Sequence, residues 1–364
     1  MLPARVRGYR PADLDALVAG GDVAWVGAGS LGTDDGRVAL VYRADAAALL
    51  AGSPDEPPVG EVHDAIRLHL AERGASFWPD LVTAAGTADE RVLLAALWDL
   101  VWAGEVTNDT LAPLRAFVRG ASAKIRTTRP GHRPRPGALR RGGPPAGAGR
   151  WSLVTGLRQP APAATEHAHA LARQLIDRHG VVTREAVLAE GVPGGFVGIY
   201  PVFRAMEEAG HVRRGYFVAG LGGAQFAHPG AVERLRGFRH TSEEDGDEPG
   251  GPLILAASDP AQPYGAALPW RKNEGRPARQ AGAYVVLADG APAAYLERGA
   301  RTLLTFGADP AEWVDALASL VKDGRLRRIQ LSRIDGQEAS AHPAASKLRA
   351  AGFADGYRGL TLRG

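Results

Sequence analysis

Apolar residues recur along this chain at spacings of three and four, and four of the runs end alike. Leu14, Leu17 and Val18 lead to Gly20-Gly21 and then Val23, while Leu97, Leu100 and Val101 lead to Gly104 and Val106. Phe203 and Met206 lead to Gly210 and Val212. More loosely, Leu317, Leu320 and Val321 lead to Gly324 and Leu326. The spacing predicts amphipathic helices. The glycine falls where a helix C-terminus turns left-handed, and the apolar residue beyond it opens a strand. One supersecondary unit therefore recurs. A last helix, a glycine corner and a β-ribbon is how a winged-helix domain ends, and the helix before the corner is of the kind that enters the major groove of DNA. Tandem winged helices acting on DNA are the first expectation.

The remaining pattern predicts an α+β chain: tandem winged-helix domains, a small β-barrel and a C-terminal α/β segment. Residues 1–52 read as a partial winged helix, with a helix over 11–19, a strand over 22–26, a turn over 29–36 and a returning strand over 37–42. Only the latter half of such a domain is there, which implies that the chain begins inside a longer protein. Residues 59–118 form a winged-helix or helical domain with helices over 62–73, 77–85 and 88–103. A basic Pro/Gly-rich segment, 119–150, is expected to link domains. Residues 151–240 give the clearest winged helix, with helices over 165–179, 184–189 and 200–209 and wing strands over 212–218 and 225–226. Thr183 is the natural N-cap of the second of these helices. Beyond an acidic loop at 243–248, short strand-like segments predict a barrel-like sheet within 251–308. Residues 309–364 close the chain with a helix over 310–322, a strand over 325–334, a helix over 343–351 and a strand over 360–362.

Charge is unevenly placed. Of the 43 Lys and Arg residues, nine lie within 119–150, where there is no acid, so the rest of the chain, with the 40 Asp and Glu, is net acidic. Such a segment, which includes Lys124, Arg126 and Arg129, is attracted to phosphates without needing a fold. The absence of cysteine excludes disulfides, thiolate metal sites and thiol nucleophiles. No apolar run reaches the roughly 18 residues of a membrane span, and the N-terminus lacks a signal-peptide layout, so the expected location is cytoplasmic, without a membrane partner.

Candidate chemistry is sparse. There is no GxxxxGK[ST] phosphate loop, so no ATP motor is expected in this chain. Gly220-Leu221-Gly222-Gly223 lies between strands and reads as a wing turn. His167 and His169, two apart on a helix, point to different sides, and neither a metal nor a cofactor is expected. Aromatic residues beside basic or glycine-rich turns are candidates for stacking on bases: Phe77 and Trp78, Tyr216 after Arg213-Arg214-Gly215, and Tyr264 and Trp270.

Several phrases are more particular than a generic winged helix. They are the stretch from Ala256 through Ser258-Asp259-Pro260 and Pro263-Tyr264-Gly265 to Trp270, Pro193-Gly194-Gly195-Phe196-Val197-Gly198-Ile199-Tyr200-Pro201, Arg213-Arg214-Gly215-Tyr216-Phe217, Gly74-Ala75-Ser76-Phe77-Trp78, and Ala294-Tyr295-Leu296-Glu297-Arg298. With them the chain resembles the C-terminal region of Lhr, the large helicase-related DNA repair proteins of bacteria. The resemblance implies a helicase core elsewhere in a parent protein as partner, and DNA, single-stranded or damaged duplex, as ligand. It further implies similarity to AlkZ-type winged-helix DNA glycosylases and activity toward uracil in DNA, although the Gln-x-Gln pattern of the AlkZ-type enzymes is not found. A glycosylase needs a carboxylate or amide beside an extruded base. Asp355 and Asp259 are the candidates, with Asp80 a further acid beside an expected DNA-facing turn. Arg213, Arg214, Tyr216, Phe77, Trp78, Tyr264, Trp270, Lys124, Arg126 and Arg129 are the expected DNA contacts. The rival expectation is a structural or homo-oligomerising module without catalysis.

Overall fold

The computed structural model describes residues 6–31, 36–50, 57–87, 89–123, 143–244, 251–272 and 275–364. The chain divides into two compact units, residues 1–171 and 172–364.

The first unit opens with α1 (Pro11–Gly20) and the antiparallel hairpin β1 (Val23–Ser30) and β2 (Gly36–Tyr42), followed by α2 (Arg43–Leu49). Next come α3 (Glu61–Arg73), β3 (Ser76–Phe77), α4 (Trp78–Ala85), α5 (Glu90–Trp102), β4 (Val106–Asn108), α6 (Ala112–Ala123) and β5 (Arg150–Leu153). Strand β5 pairs antiparallel with both β3 and β4, giving the order β3-β5-β4. Residues 109–149 thus connect β4 to β5, two neighbouring strands of one sheet.

A tryptophan cluster makes the core of this unit. Trp25 of β1 lies 6.5 Å from Trp98 of α5 and 6.5 Å from Trp151 of β5, and Trp98 lies 6.1 Å from Trp151. Their indole N–H groups donate to the carbonyls of Thr110 (3.0 Å), Ala146 (3.1 Å) and Gly147 (2.9 Å), so no donor in this trio is stranded by burial. The hairpin β1–β2 can approach α5 because Gly27 and Gly36 lack side chains. A Cβ on Gly27 would stand 1.8 Å from the Val101 carbonyl oxygen, and one on Gly36 would stand 2.4 Å from the Trp102 ring.

The second unit repeats the same order. Helix α7 (Ala164–His179) begins ahead of it, and then come β6 (Val181–Val182), α8 (Arg184–Ala189), α9 (Gly195–Glu208), β7 (Arg213–Gly215) and β8 (Gln225–Ala227), with sheet order β6-β8-β7. The Thr183 hydroxyl accepts the Ala186 N–H at 3.1 Å, the expected N-cap of α8. Helix α9 begins five residues before the predicted start, and α10 (Ala231–Glu244) follows the wing.

The rest of the unit holds β9 (Leu253–Ala256), β10 (Tyr284–Ala288), β11 (Ala291–Leu296), β12 (Thr302–Thr305), α11 (Val314–Lys322), β13 (Arg328–Leu331), β14 (Arg333–Ile334), β15 (Gln337–Glu338), α12 (Ala345–Ala350), β16 (Ala354–Gly356) and β17 (Gly359–Arg363). Six of these strands form an open mixed sheet in the order β15-β14-β12-β11-β10-β9, with β12 and β14 parallel. Among the described residues no ladder joins β15 to β9, so a closed barrel, as expected from the short strands, is not found. The predicted strand over 325–334 is divided at Ser332. Strand β13 pairs with β17 in a three-stranded sheet, β13-β17-β16, while β14 joins the six-stranded one. Trp313, Leu317, Leu320, Ile329, Leu331, Leu348 and Leu360 pack into one core that unites both sheets with α11 and α12.

The glycine corners repeat in atomic detail. Gly21, Gly104, Gly210 and Gly324 have φ of 82°, 70°, 77° and 71°, a region costly for residues with a Cβ. In the first three, the glycine N–H bonds the carbonyl three residues back, and the next N–H reaches five back: Asp22 to Leu17, Glu105 to Leu100 and His211 to Met206. In the fourth, Leu326 reaches six back to Leu320, matching its looser sequence.

Candidate nucleic-acid interface

Helix α9 is preceded by the cap residue Gly194 and starts at Gly195, both at positive φ, and it buries only Ile199, Phe203 and Met206. Phe226 of β8 stacks with Phe203 at 5.0 Å and meets Tyr200 at 5.7 Å. The opposite side is open: Val197 is 84% exposed, and Gly198, Pro201, Arg204 and Glu208 are exposed with it. Pro201 supplies no N–H to the Val197 carbonyl. The N-terminal half of this face is therefore smooth and uncharged, and its acids lie toward the C-terminal end.

Beside the helix, β7 presents Arg213 and Arg214, both exposed, and Tyr216 beyond them is 87% exposed. Arg214 is braced by the Tyr200 hydroxyl at 3.1 Å and Glu207 at 3.3 Å, which raise its guanidinium above the ordinary value, the Tyr200 bond contributing most. Arg213 has no ion-pair partner among the described residues. The wing is held by a residue that is not among the expected site residues. Gln225, fully buried, accepts the N–H groups of Phe217 and Val218 at 2.8 Å and donates to the carbonyls of Val218 (3.1 Å) and Leu221 (3.3 Å). A polar residue between apolar neighbours at a strand start was the available signal.

A second group gathers on the loop 257–270 against the six-stranded sheet. Tyr264 stacks on Trp270 at 6.1 Å, Trp270 stacks on Phe306 at 6.2 Å, and Tyr295 meets Trp270 edge-on at 5.7 Å. Both Tyr264 and Trp270 are half-buried, with ring faces already engaged by protein. Gln262, fully buried, ties this loop by donating to the carbonyls of Ala257 and Tyr264. Asp259 is buried; one carboxylate oxygen accepts the Ala261 N–H at 2.9 Å, as a turn-forming aspartate does, and its carbonyl accepts from Arg279 at 3.1 Å. Burial lowers the Arg279 guanidinium, while Asp259 and Glu190 oppose that shift.

The other expected site residues are dispersed. Asp355 is on β16, exposed, and forks onto Arg349 through two bonds of 2.9 Å, which hold its carboxyl below the usual range. Phe77 is 53% exposed, but Trp78 is only 3% exposed; its ring fills the space left by Gly143 and Gly147, so it belongs to the core. Asp80 accepts the Phe77 N–H at 3.0 Å as part of the start of α4. Lys124, Arg126 and Arg129 lie outside the described residues. A cleft of about 560 Å³ in the first unit is lined by Asp64, Arg67, Glu105 and Arg158 among others. Its Arg67 already forks onto Glu105 at 2.6 and 2.9 Å, so this wall supplies its own counter-ion. Among the described residues no cluster of metal-ligating side chains occurs, and no helix is long and apolar enough to cross a membrane.

Comparison with known proteins agrees with this architecture. Residues 161–247 and 1–43 each match a winged-helix domain of the large helicase-related protein. The whole chain is 42% identical to a Lhr helicase and probable uracil glycosylase of Mycolicibacterium smegmatis, covering 25% of that protein. Over 99% of its length it is 36% identical to the Lhr helicase/uracil glycosylase of Escherichia coli K12, covering 24% of it. The chain thus spans about a quarter of the relatives it matches, and it carries winged-helix domains of the large helicase-related family.

Proposed function

We propose that this chain is a DNA-binding portion of an Lhr-type repair helicase and that α9 with the β7–β8 wing forms its duplex contact. The open, uncharged N-terminal face of α9 carries the reading, because the N-terminal residues of such a helix are the ones that meet base edges. That face offers Gly, Val and Pro but no Arg, Asn or Gln, so it lacks the bidentate groups that read base identity. Binding is accordingly insensitive to sequence, with Arg213 and Arg214 on phosphates and Tyr216 available to stack. Anisotropy of a labelled duplex, titrated across a salt series, tests this: affinity falls steeply with salt, and Val197→Glu weakens it. Absent or salt-independent binding overturns the reading.

The names of the two relatives extend the proposal to uracil excision, in which water replaces the base at the sugar carbon and the N-glycosidic bond breaks. A carboxylate supports such a step by stabilising positive charge on the sugar. Asp259 shares its loop with the Tyr264–Trp270 stack, and Asp355 is kept ionised by Arg349, so both are assigned as the acids to test. Uracil-containing oligonucleotide incubated with the chain and then treated with alkali is cleaved, and Asp259→Asn or Asp355→Asn reduces cleavage. Unchanged cleavage in both removes these residues from the mechanism.

A further inference from the structure

The three-stranded sheet β13-β17-β16 packs its inner face on the core through Ile329, Leu331, Leu360 and Leu362. Strand alternation places Arg328, Gln330, Ala354, Gly356, Gly359, Thr361 and Arg363 on the outer face. No acid is among them. Asp355 has the opposite parity and is engaged by Arg349. Arg328 stands directly opposite Arg363 in the ladder, and both are exposed. Like charges directly opposed across two strands destabilise a sheet. Like Arg213, neither arginine has an ion-pair partner among the described residues, so both are free to meet an anion. Arg327 is exposed next to the pair.

We infer that this outer face is a second phosphate-binding surface, which takes a nucleic-acid backbone across Arg328 and Arg363. An anionic backbone relieves the repulsion between the two guanidinium groups. The glycines, Ala354 and Thr361 beside them leave a low surface along which a strand can lie, and Gln330 and Thr361 offer neutral hydrogen bonds. The two arginines are assigned to phosphates, so the contact positions a backbone rather than reading a sequence.

The inference extends the DNA-binding reading above, and one experiment separates the two. Binding of a labelled oligothymidylate to the full chain is measured over a salt series for wild type, Arg328→Ala/Arg363→Ala and Arg213→Ala. Each lost phosphate contact lowers the slope of log K against log salt by about 0.7 for single strands, so the sheet variant is expected to lose about 1.4. Its melting temperature stays equal or rises, since a repulsive pair has gone. An unchanged slope in the sheet variant with a reduced slope in Arg213→Ala overturns the sheet surface and leaves the wing. The converse result overturns the wing and leaves the sheet. No binding by wild type overturns both. A loss seen only with a polyglutamate peptide, and not with the oligonucleotide, overturns the inference in favour of an acidic protein partner.

Discussion

Helices α5 and α9 occupy the same place in two copies of one arrangement, yet one is buried and the other open. Aligned at their glycine corners, Leu97 and Leu100 correspond to Phe203 and Met206, and all four face their own cores. On the next stripe Trp98, Val101 and Trp102 of α5 correspond to Arg204, Glu207 and Glu208 of α9. The apolar stripe of α5 is covered by the hairpin β1–β2 and by Phe117 of α6, which lies 4.2 Å from Trp98. The charged stripe of α9 stays in contact with solvent. A helix that is apolar on both stripes acts as a core element, and a helix apolar on one is left free to meet a ligand. The same topology therefore provides packing in one copy and a candidate contact surface in the other.

This comparison breaks most sharply at position 98. The Trp98 ring meets Trp25, Trp102, Phe117 and Trp151. Trp98→Ala should cost about 3–5 kcal/mol by leaving a cavity among these rings, whereas Arg204→Ala, at the equivalent corner position, should stay within about 0.5 kcal/mol. Urea denaturation of both variants measures the difference, and similar losses would mean that the two helices are buried alike. Gly27→Ala should cost about 1–3 kcal/mol or more through overpacking against the Val101 carbonyl, lowering the melting temperature of the first unit. On the functional side, Val197→Glu should weaken DNA binding about tenfold, or about 1.4 kcal/mol. Ala95→Glu, which places an acid on the narrow exposed stripe of α5, should leave affinity unchanged in the same titration.

The smallest effect concerns pH. Glu190 accepts from His179 at 3.1 Å and from Arg178, and these bonds, His179 first, hold its carboxyl below the usual 4.5. A depressed carboxylate contributes stability that is present above its unfolded value and is lost as pH falls through the folded one. Wild-type stability should therefore decline below about pH 4.5, and Glu190→Gln should flatten that part of the profile in denaturation curves taken between about pH 3 and 7.

The repeat was legible because it rests on local chemistry: three-four spacing and a glycine that only a left-handed corner favours. The start of α9 was not, since Gly194, Gly195 and Gly198 read as a loop until Phe196 and Ile199 have a core to pack on. The division of the strand at Ser332 shows in the sequence only as a slip in the alternation, from Ile329 and Leu331 to Ile334, and nothing local tells that β13 and β14 pair with partners in different sheets. Trp78 reads in the sequence as able to stack on a base, and only long-range packing against Gly143 and Gly147 assigns it to the interior. Of the candidate site, the Arg213–Tyr216 wing could be read ahead of the structure. The roles of the buried amides, Gln225 within the wing and Gln262 within the loop 257–270, emerge only with the backbone groups that the fold brings to them.

The pairing of β5 between β3 and β4 has a consequence for altering the protein. The connection from Asn108 to Arg150 leaves and re-enters a single sheet, with its ends fixed on neighbouring strands. Loop-closure entropy grows only as the logarithm of length, about 0.6 kcal/mol for each doubling. A reporter domain or an affinity tag spliced into this connection, outside α6 and outside residues 143–149, which meet Trp78, Trp98 and Trp151, would therefore be tolerated at little thermodynamic cost, and a backbone nick there would leave both fragments associated through the β4–β5 ladder. The same splice a few residues later, inside Arg150–Leu153, would remove the central strand and with it the sheet.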